Sequence, residues 1–183
     1  MNYLTSNPTG IDAVLQSFQK DLYSSLLRFI ALQNGQSVID GFGRIYKNSQ
    51  REGGYIPEWW NEKTNSYEEM YLDSSKKVTF YFIVGEQNDS EDGSFFTTDL
   101  KVVFLVDLSW IKTPNRADAE AQKIFTTCIQ KDTDESFEMT GIELGLENVF
   151  SGFDISKTKF DNMQPYHAVS INGKIGYYLN QNC

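Results

Sequence analysis

The chain has a single histidine and two cysteines in 183 residues, and these shortages exclude several chemistries at once. His167, Cys128 and Cys183 together fall short of the about four ligands of a structural zinc site, and they lie far apart in sequence. Two cysteines, one at the last position, make no disulfide framework. Both are expected to be reduced, Cys128 as a small core residue, in a cytosolic setting or in a particle assembled there. Long apolar runs are missing too. None approaches the roughly 20 residues that cross a bilayer, so no membrane partner is expected. Residues 1–10 are polar and lack the basic start and apolar stretch of a secretory signal. Basic residues are outnumbered, with 16 Lys and Arg against 25 Asp and Glu and a net charge of −9. A protein that grips nucleic acid over a broad surface needs the opposite balance.

Catalytic patterns are also scarce. There is no P-loop, nucleophile elbow or metalloprotease motif. Gly41-Phe42-Gly43 lacks the third glycine and following helix of a dinucleotide fingerprint. Serine–histidine–carboxylate chemistry would have to use His167, which lies in an alternating stretch and is expected at an ordinary surface or edge position. A carboxylate-only hydrolase needs no visible motif, and Asp107, at the end of a strong strand, is its best single candidate. The plainer expectation for Asp107 is a strand-end residue facing solvent. No catalytic residue, cofactor or metal ligand is assigned, and the chain is expected not to be an enzyme.

What is present is enough apolar matter for a core, 40% hydrophobic and 14% aromatic, which excludes disorder of the whole chain. The length fits one domain over 1–183. Ile11, Val14, Leu15, Phe18, Leu22, Leu26, Phe29 and Ile30 recur at helical spacing and predict a helix over about 11–32. Thr9 or Asn7 is the expected cap, and Asn34-Gly35 the expected stop. Tyr23, Leu27 and Ala31 widen its apolar surface. They fit either contact with another subunit or deep burial within the domain.

A short strand is expected at residues 38–46. An aromatic-rich insertion at about 53–72 follows, holding Pro57, Trp59, Trp60, Tyr67 and Tyr71. Pro57 points to an edge strand or an irregular segment. The adjacent tryptophans suit an aromatic binding platform or the covering of a core edge or subunit contact. Residues 77–84 and 98–108 are rich in β-branched and aromatic side chains and predict an antiparallel hairpin. Its connector, 85–94, carries Glu86, Asp89, Glu91 and Asp92. That loop lacks the ligand spacing and turn glycine of an EF-hand, so a solvated, mutually repelling tip is expected. A second helix is expected from a cap at Asn115 to Lys131, then a charged loop with Asp132, Asp134 and Glu135. Residues 137–139 read as strand-like, 142–150 as a short helix or irregular segment, and 166–179 as a long final strand with a bulge or bend at Asn172-Gly173. The fold class is therefore α+β, a mostly antiparallel sheet with a long hairpin, flanked by an N-terminal helix and a second central helix.

This order of elements resembles the tail terminator and neck ring proteins of tailed bacteriophages. The matching pieces are 11–32, the hairpin 77–108 with its acidic tip, the helix 115–131 and the ending Tyr166-His167-Ala168-Val169-Ser170-Ile171 with Tyr177-Tyr178-Leu179. The insertion with Pro57 and the two tryptophans is not part of the minimal pattern. The resemblance implies a structural subunit of a phage virion, assembled in the host cytoplasm. It would form a homo-oligomeric ring at the head–tail junction or tail, joining neighbouring rings and surrounding a DNA channel. Implied partners are copies of the chain and other neck or tail proteins, with DNA passing through without specific binding. Acidic loops suit a channel that repels phosphate, so Glu86, Asp89, Glu91, Asp92, Asp132, Asp134 and Glu135 are candidate lumen-facing residues. Tyr23, Leu27, Trp59, Trp60 and Tyr71 are candidate subunit contacts, because interfaces favour such side chains. The alternative is a soluble cytosolic module that binds a protein or small ligand through the Trp59/Trp60 region.

Overall fold

The computed structural model describes residues 5–34, 38–52, 54–70, 75–132, 137–154 and 165–179. Helix α1 spans Ile11–Asn34. Ile11, Leu15, Phe18, Leu22 and Leu26 form its buried stripe, the period of one helical face. Its first turn closes on backbone, with the Asp12 and Ala13 amides donating to the carbonyls of Thr9 and Gly10. Gly10 takes a φ of +55°, which reverses the chain into the helix. The stop expected at Gly35 lies outside the described residues.

The strands are β1 (Ile39–Tyr46), β2 (Gln50–Arg51), β3 (Gly54–Tyr55), β4 (Glu58–Asn61), β5 (Ser66–Glu69), β6 (Val78–Asp89), β7 (Phe95–Asp107), β8 (Phe137–Leu144) and β9 (Tyr166–Tyr178). Seven of them form one sheet in the order β5-β4-β1-β6-β7-β9-β8, and β2 and β3 form a separate small pair. Within the large sheet β1 and β6 run parallel and the other neighbours antiparallel. Helix α2 spans Ala117–Asp132 and the single turn α3 Leu146–Val149. The class is α+β with a mostly antiparallel sheet, as the order of elements predicts.

Two cores result from strand alternation. On β7, Leu100, Val102, Phe104 and Val106 face α1 and α2, while Val103 and Leu105 join the core on the opposite face. Phe125 of α2 stacks on Phe104 with ring centroids 4.2 Å apart. The second face is covered by Val149, Phe150 and Phe153, from α3 and the turns after it.

Five boundaries differ from expectation, each for a physical reason. The polar residues Glu86–Asp89 are strand, not loop. A bulge between Val84 and Asn88 absorbs the irregularity, and pairing resumes as Asn88 meets Thr98. The Tyr177 hydroxyl donates to Asn88 Oδ1 at 2.9 Å and anchors this extension, so tertiary contact overrides weak strand propensity. Strand β8 runs unbroken to Leu144, where a helix or irregular segment is expected. Its bulge between Met139 and Gly141 shifts the alternation and hides it from sequence. Strand β9 is continuous through Asn172-Gly173; the bulge lies on its partner. Pro57 stands just outside β4, its carbonyl accepting from Met70 N–H at 2.8 Å. That leaves β4 free to pair on both sides, so it is no edge strand. Helix α2 begins two residues beyond Asn115, whose amide donates to Thr113 Oγ1 at 3.1 Å. That turn holds Pro114 and Asn115 outside the helix.

Candidate functional site

Asp107 and His167, the residues weighed for catalysis from the sequence, take different places in the fold. Asp107 is only 3% exposed, where a solvent-facing strand end is expected. Lys77 Nζ donates to its Oδ2 at 2.7 Å, and Ser109 donates from N at 3.0 Å and from Oγ at 2.6 Å to its Oδ1. Burial alone would raise this carboxyl, but those donors outweigh it and hold it below the usual range. A carboxylate so fully engaged is a brace between β6, β7 and the turn Leu108–Trp110, not a free base. His167 lies on β9 opposite Val106, half-buried, with Nε2 3.4 Å from Gln122 Nε2. Strand β8 stops opposite Val169, so among the described residues His167 has a strand partner on the β7 side alone, a locally open flank as expected. Burial pushes its imidazole down, and the nearby Asp118 opposes that. Among the described residues no group of three or more His, Cys, Asp and Glu is placed to hold a metal. No described helix is long and apolar enough to cross a membrane.

The hairpin places Glu86, Asp89, Glu91 and Asp92 at one exposed end of the molecule. Glu86 and Asp89 belong to β6, and Glu91 and Asp92 to the tip beyond it. Glu86 is 3.8 Å from Lys47. Asp92 braces the turn locally, since its Oδ1 accepts from the amides of Ser94 and Phe95 at 2.8 and 2.9 Å. Those backbone donors hold its carboxyl down to about 2, so Asp92 stays charged at any physiological pH. Asp132 is the last residue of α2. Asp134, Glu135 and Tyr71 lie outside the described residues.

The candidate contact residues take different roles. Tyr23 and Leu27 are partly buried against the helix-side core of their own chain. Trp59 and Trp60 do not form a shared platform, because neighbouring side chains on a strand point to opposite faces. Trp59 joins the second core, edge-on to Phe42 at 6.0 Å. Trp60 packs against Tyr67 on β5 at 5.0 Å, and Tyr67 in turn meets Tyr46 on β1 at 4.9 Å. These three rings border a cleft beside the start of α1.

That cleft owes its shape to a bulge in β1. Gly41 pairs with Phe80 and Arg44 with Phe82, so β1 spends an extra residue between them. The parity of the strand flips at Gly43. Ile39 faces the helices and Phe42 the second core before it; Ile45 faces the second core after it. Arg44 and Tyr46 are thereby turned toward Asp12 of α1. Arg44 lies over the Tyr46 ring at 4.9 Å, with Nη1 3.9 Å from Asp12 Oδ1. Burial pushes the Tyr46 hydroxyl up to about 12, helped by the charge of Asp12. Burial likewise raises the Asp12 carboxyl against the pull of Arg44.

The other unassigned surface is the β8 edge. Met139, Ile142 and Leu144 are 37%, 44% and 44% exposed on the last strand of the sheet. A second exposed apolar group, Phe95, Tyr178 and Leu179, lies at the hairpin end. Phe95 packs edge-on to Tyr178 at 5.0 Å. Sequence reasoning missed Asp12, Arg44 and Tyr46, which only the β1 bulge brings together. It also missed the β8 row, whose period of two is broken by its own bulge. Strict alternation applied to Trp59-Trp60 would have separated that pair without a structure.

No family model matches this chain, and no curated protein matches it either.

Proposed function

We propose that this protein is a non-enzymatic structural subunit that assembles with copies of itself into a closed ring, in the manner of phage head–tail and tail ring proteins. The observation that carries this reading is the β8 edge, unpaired among the described residues, with its row of Met139, Ile142 and Leu144. An unpaired, apolar sheet edge is an aggregation hazard in a monomer and an interface in an assembly. The second apolar group at Phe95, Tyr178 and Leu179 lies elsewhere on the chain. Two unlike sticky surfaces are what a head-to-tail contact needs, and head-to-tail contacts close into rings when the rotation permits. The order of elements supplies the phage setting, and the charged hairpin end supplies a surface that repels phosphate.

Native mass measurement and electron microscopy of the purified protein test the reading. A discrete ring with a central channel is expected. The double variant Ile142→Glu with Leu144→Glu, both exposed positions, is expected to keep its circular dichroism and to fall to monomers. A wild-type chain that stays monomeric at hundreds of micromolar overturns the proposal. So does a ring that the double variant leaves intact.

A further inference from the structure

We propose that the cleft between the start of α1 and the β1–β4–β5 corner is a binding site for an alkylammonium group, held beside Asp12 with its carbon stem across Trp60 and Tyr67. The inference is independent of ring assembly, because every residue it uses belongs to one copy.

The cleft has two connected levels that share Thr5, Asp12, Tyr46 and Trp60. The inner cavity is about 70 Å³ and the outer about 330 Å³. The inner one is lined by Arg44 as well, whose charge repels an ammonium, so the head group is placed in the outer one beside Asp12. The walls of the outer cavity are Tyr46, Trp60 and Tyr67, and its charged lining is Asp12 and Glu62 with no basic residue. Aromatic faces and carboxylates together attract an organic cation: the ring quadrupole favours positive charge, and the apolar ring body covers methylenes. An inorganic ion gains less, because it must shed water without apolar contact in return.

The carboxylates are not equivalent. Glu62 is already engaged, accepting from both the amide and the hydroxyl of Ser6. Asp12 is under-satisfied. Tyr46 hydrogen-bonds the carboxylate, yet Oδ1 is sealed from water without a hydrogen-bond donor. The nearest cation to that oxygen, Arg44, stands 3.9 Å away, beyond hydrogen-bond reach. The side chain as a whole is 41% exposed and borders both cavities. Arg44 shows the preference of the site from within the chain, since its guanidinium already lies on Tyr46. An ammonium in the outer cavity would meet the exposed part of the Asp12 side chain, which borders it, and add a cationic contact closer than Arg44 at 3.9 Å.

The alkylammonium chemistry has two sources, a free amine or the lysine side chain of a neighbouring polypeptide. Titration at constant ionic strength uses n-butylammonium, an N-acetylated Gly-Lys-Gly amide, and 3,3-dimethyl-1-butanol as an uncharged probe. It is followed by the indole N–H resonance of Trp60. Saturable shifts are expected with both cations, with a Kd below about 10 mM, an affinity of roughly 3 kcal/mol. The alcohol should give none. Tighter binding of the peptide assigns the site to a lysine side chain, and tighter binding of the amine to a free ligand; both support the site. Asp12→Asn should weaken binding at least tenfold. Tyr67→Leu, at an exposed ring, should weaken it severalfold and decides the matter if Asp12→Asn does not fold. Equal binding of the alcohol, no saturation with either cation, or full affinity in Tyr67→Leu overturns the proposal.

Discussion

At the scale of single residues, glycine under an aromatic roof recurs in this sheet. A Cβ on Gly41 would lie 2.5 Å from the Phe80 ring, and one on Gly176 would lie 2.3 Å from Phe95. Gly173 is the most confined: a Cβ there would meet the Glu138 carbonyl and the Phe137 ring, both at 2.4 Å. A ring can tilt, but a strand carbonyl cannot move without its ladder. Gly173→Ala is therefore expected to destabilise the fold by about 1–3 kcal/mol. It should cost more than Gly41→Ala, as read from denaturant midpoints; the reverse order would refute the argument. Asp107 gives a prediction in pH. Its folded-state carboxyl lies below the ordinary range, so the unfolded state binds the proton more readily. Its contribution is complete above the unfolded value, about 3.9, and is lost as pH falls through the folded one. Asp107→Asn should lower stability at pH 7 by about 1–3 kcal/mol, because Lys77 and Ser109 lose their acceptor. The gap to wild type should narrow below about pH 4. A gap constant from pH 7 to pH 2 would show that the ion pair is not its source.

At the scale of elements, the extra residue of β1 decides which side chains meet. Inserting one more residue after Gly43 adds a step that the bulge does not absorb and turns Ile45 out of the second core. Loss of that buried side chain alone costs about 2–5 kcal/mol. The insertion is expected to lower thermal stability sharply and to turn Arg44 away from Asp12. An Arg44–Asp12 contact retained in the insertion variant would show that the bulge can widen to take up the added residue. Such elements mark the boundary of what the sequence discloses. The apolar spacing of α1, the β-branched runs of β6 and β7 and the alternation of β9 are local patterns, and all are legible. The extension of β6 through Glu86–Asp89 is not, because its polar residues are held in register by Tyr177, 89 positions away. The cleft is half legible. Trp60 and Tyr67 stand out as aromatics, but the pairing of Asp12 with Arg44 depends on a one-residue irregularity that composition does not signal. Asp107 misleads in the same way: its position at a strand end predicts solvent, whereas the partner Lys77 comes from the start of the neighbouring strand.

At the scale of the whole molecule, the hairpin end joins exposed acidic residues to the apolar group Phe95, Tyr178 and Leu179, and the β8 row is a second apolar surface. The acidic hairpin end and the β8 row lie on different parts of the sheet, and under the ring reading they have different roles. Neutralising the hairpin end with Glu86→Gln, Asp89→Asn and Glu91→Gln leaves Asp92 to hold its turn amides. The assembled variant is then expected to bind duplex DNA more tightly than wild type at low salt. The difference should shrink as salt rises, since repulsion between exposed charges is screened over about 10 Å at 0.1 M. Filter binding across a salt series measures it. Equal affinities at low salt would place the tip away from DNA.

The order in which the strands are made has a consequence for synthesis in the cell. Strand β8 pairs with β9 alone, and β9 also supplies the full-length partner of β7. When Leu144 leaves the ribosome, the strand that will shelter it is still enclosed in the exit tunnel. At about 5–20 residues per second, that wait lasts a few seconds. Throughout it, the open flank of β7 and the whole of β8 are available to any other chain. A nascent polypeptide in that condition is a natural client for chaperones. Slow codons between Leu144 and Tyr166 should lower the soluble yield more than the same codons placed before α1.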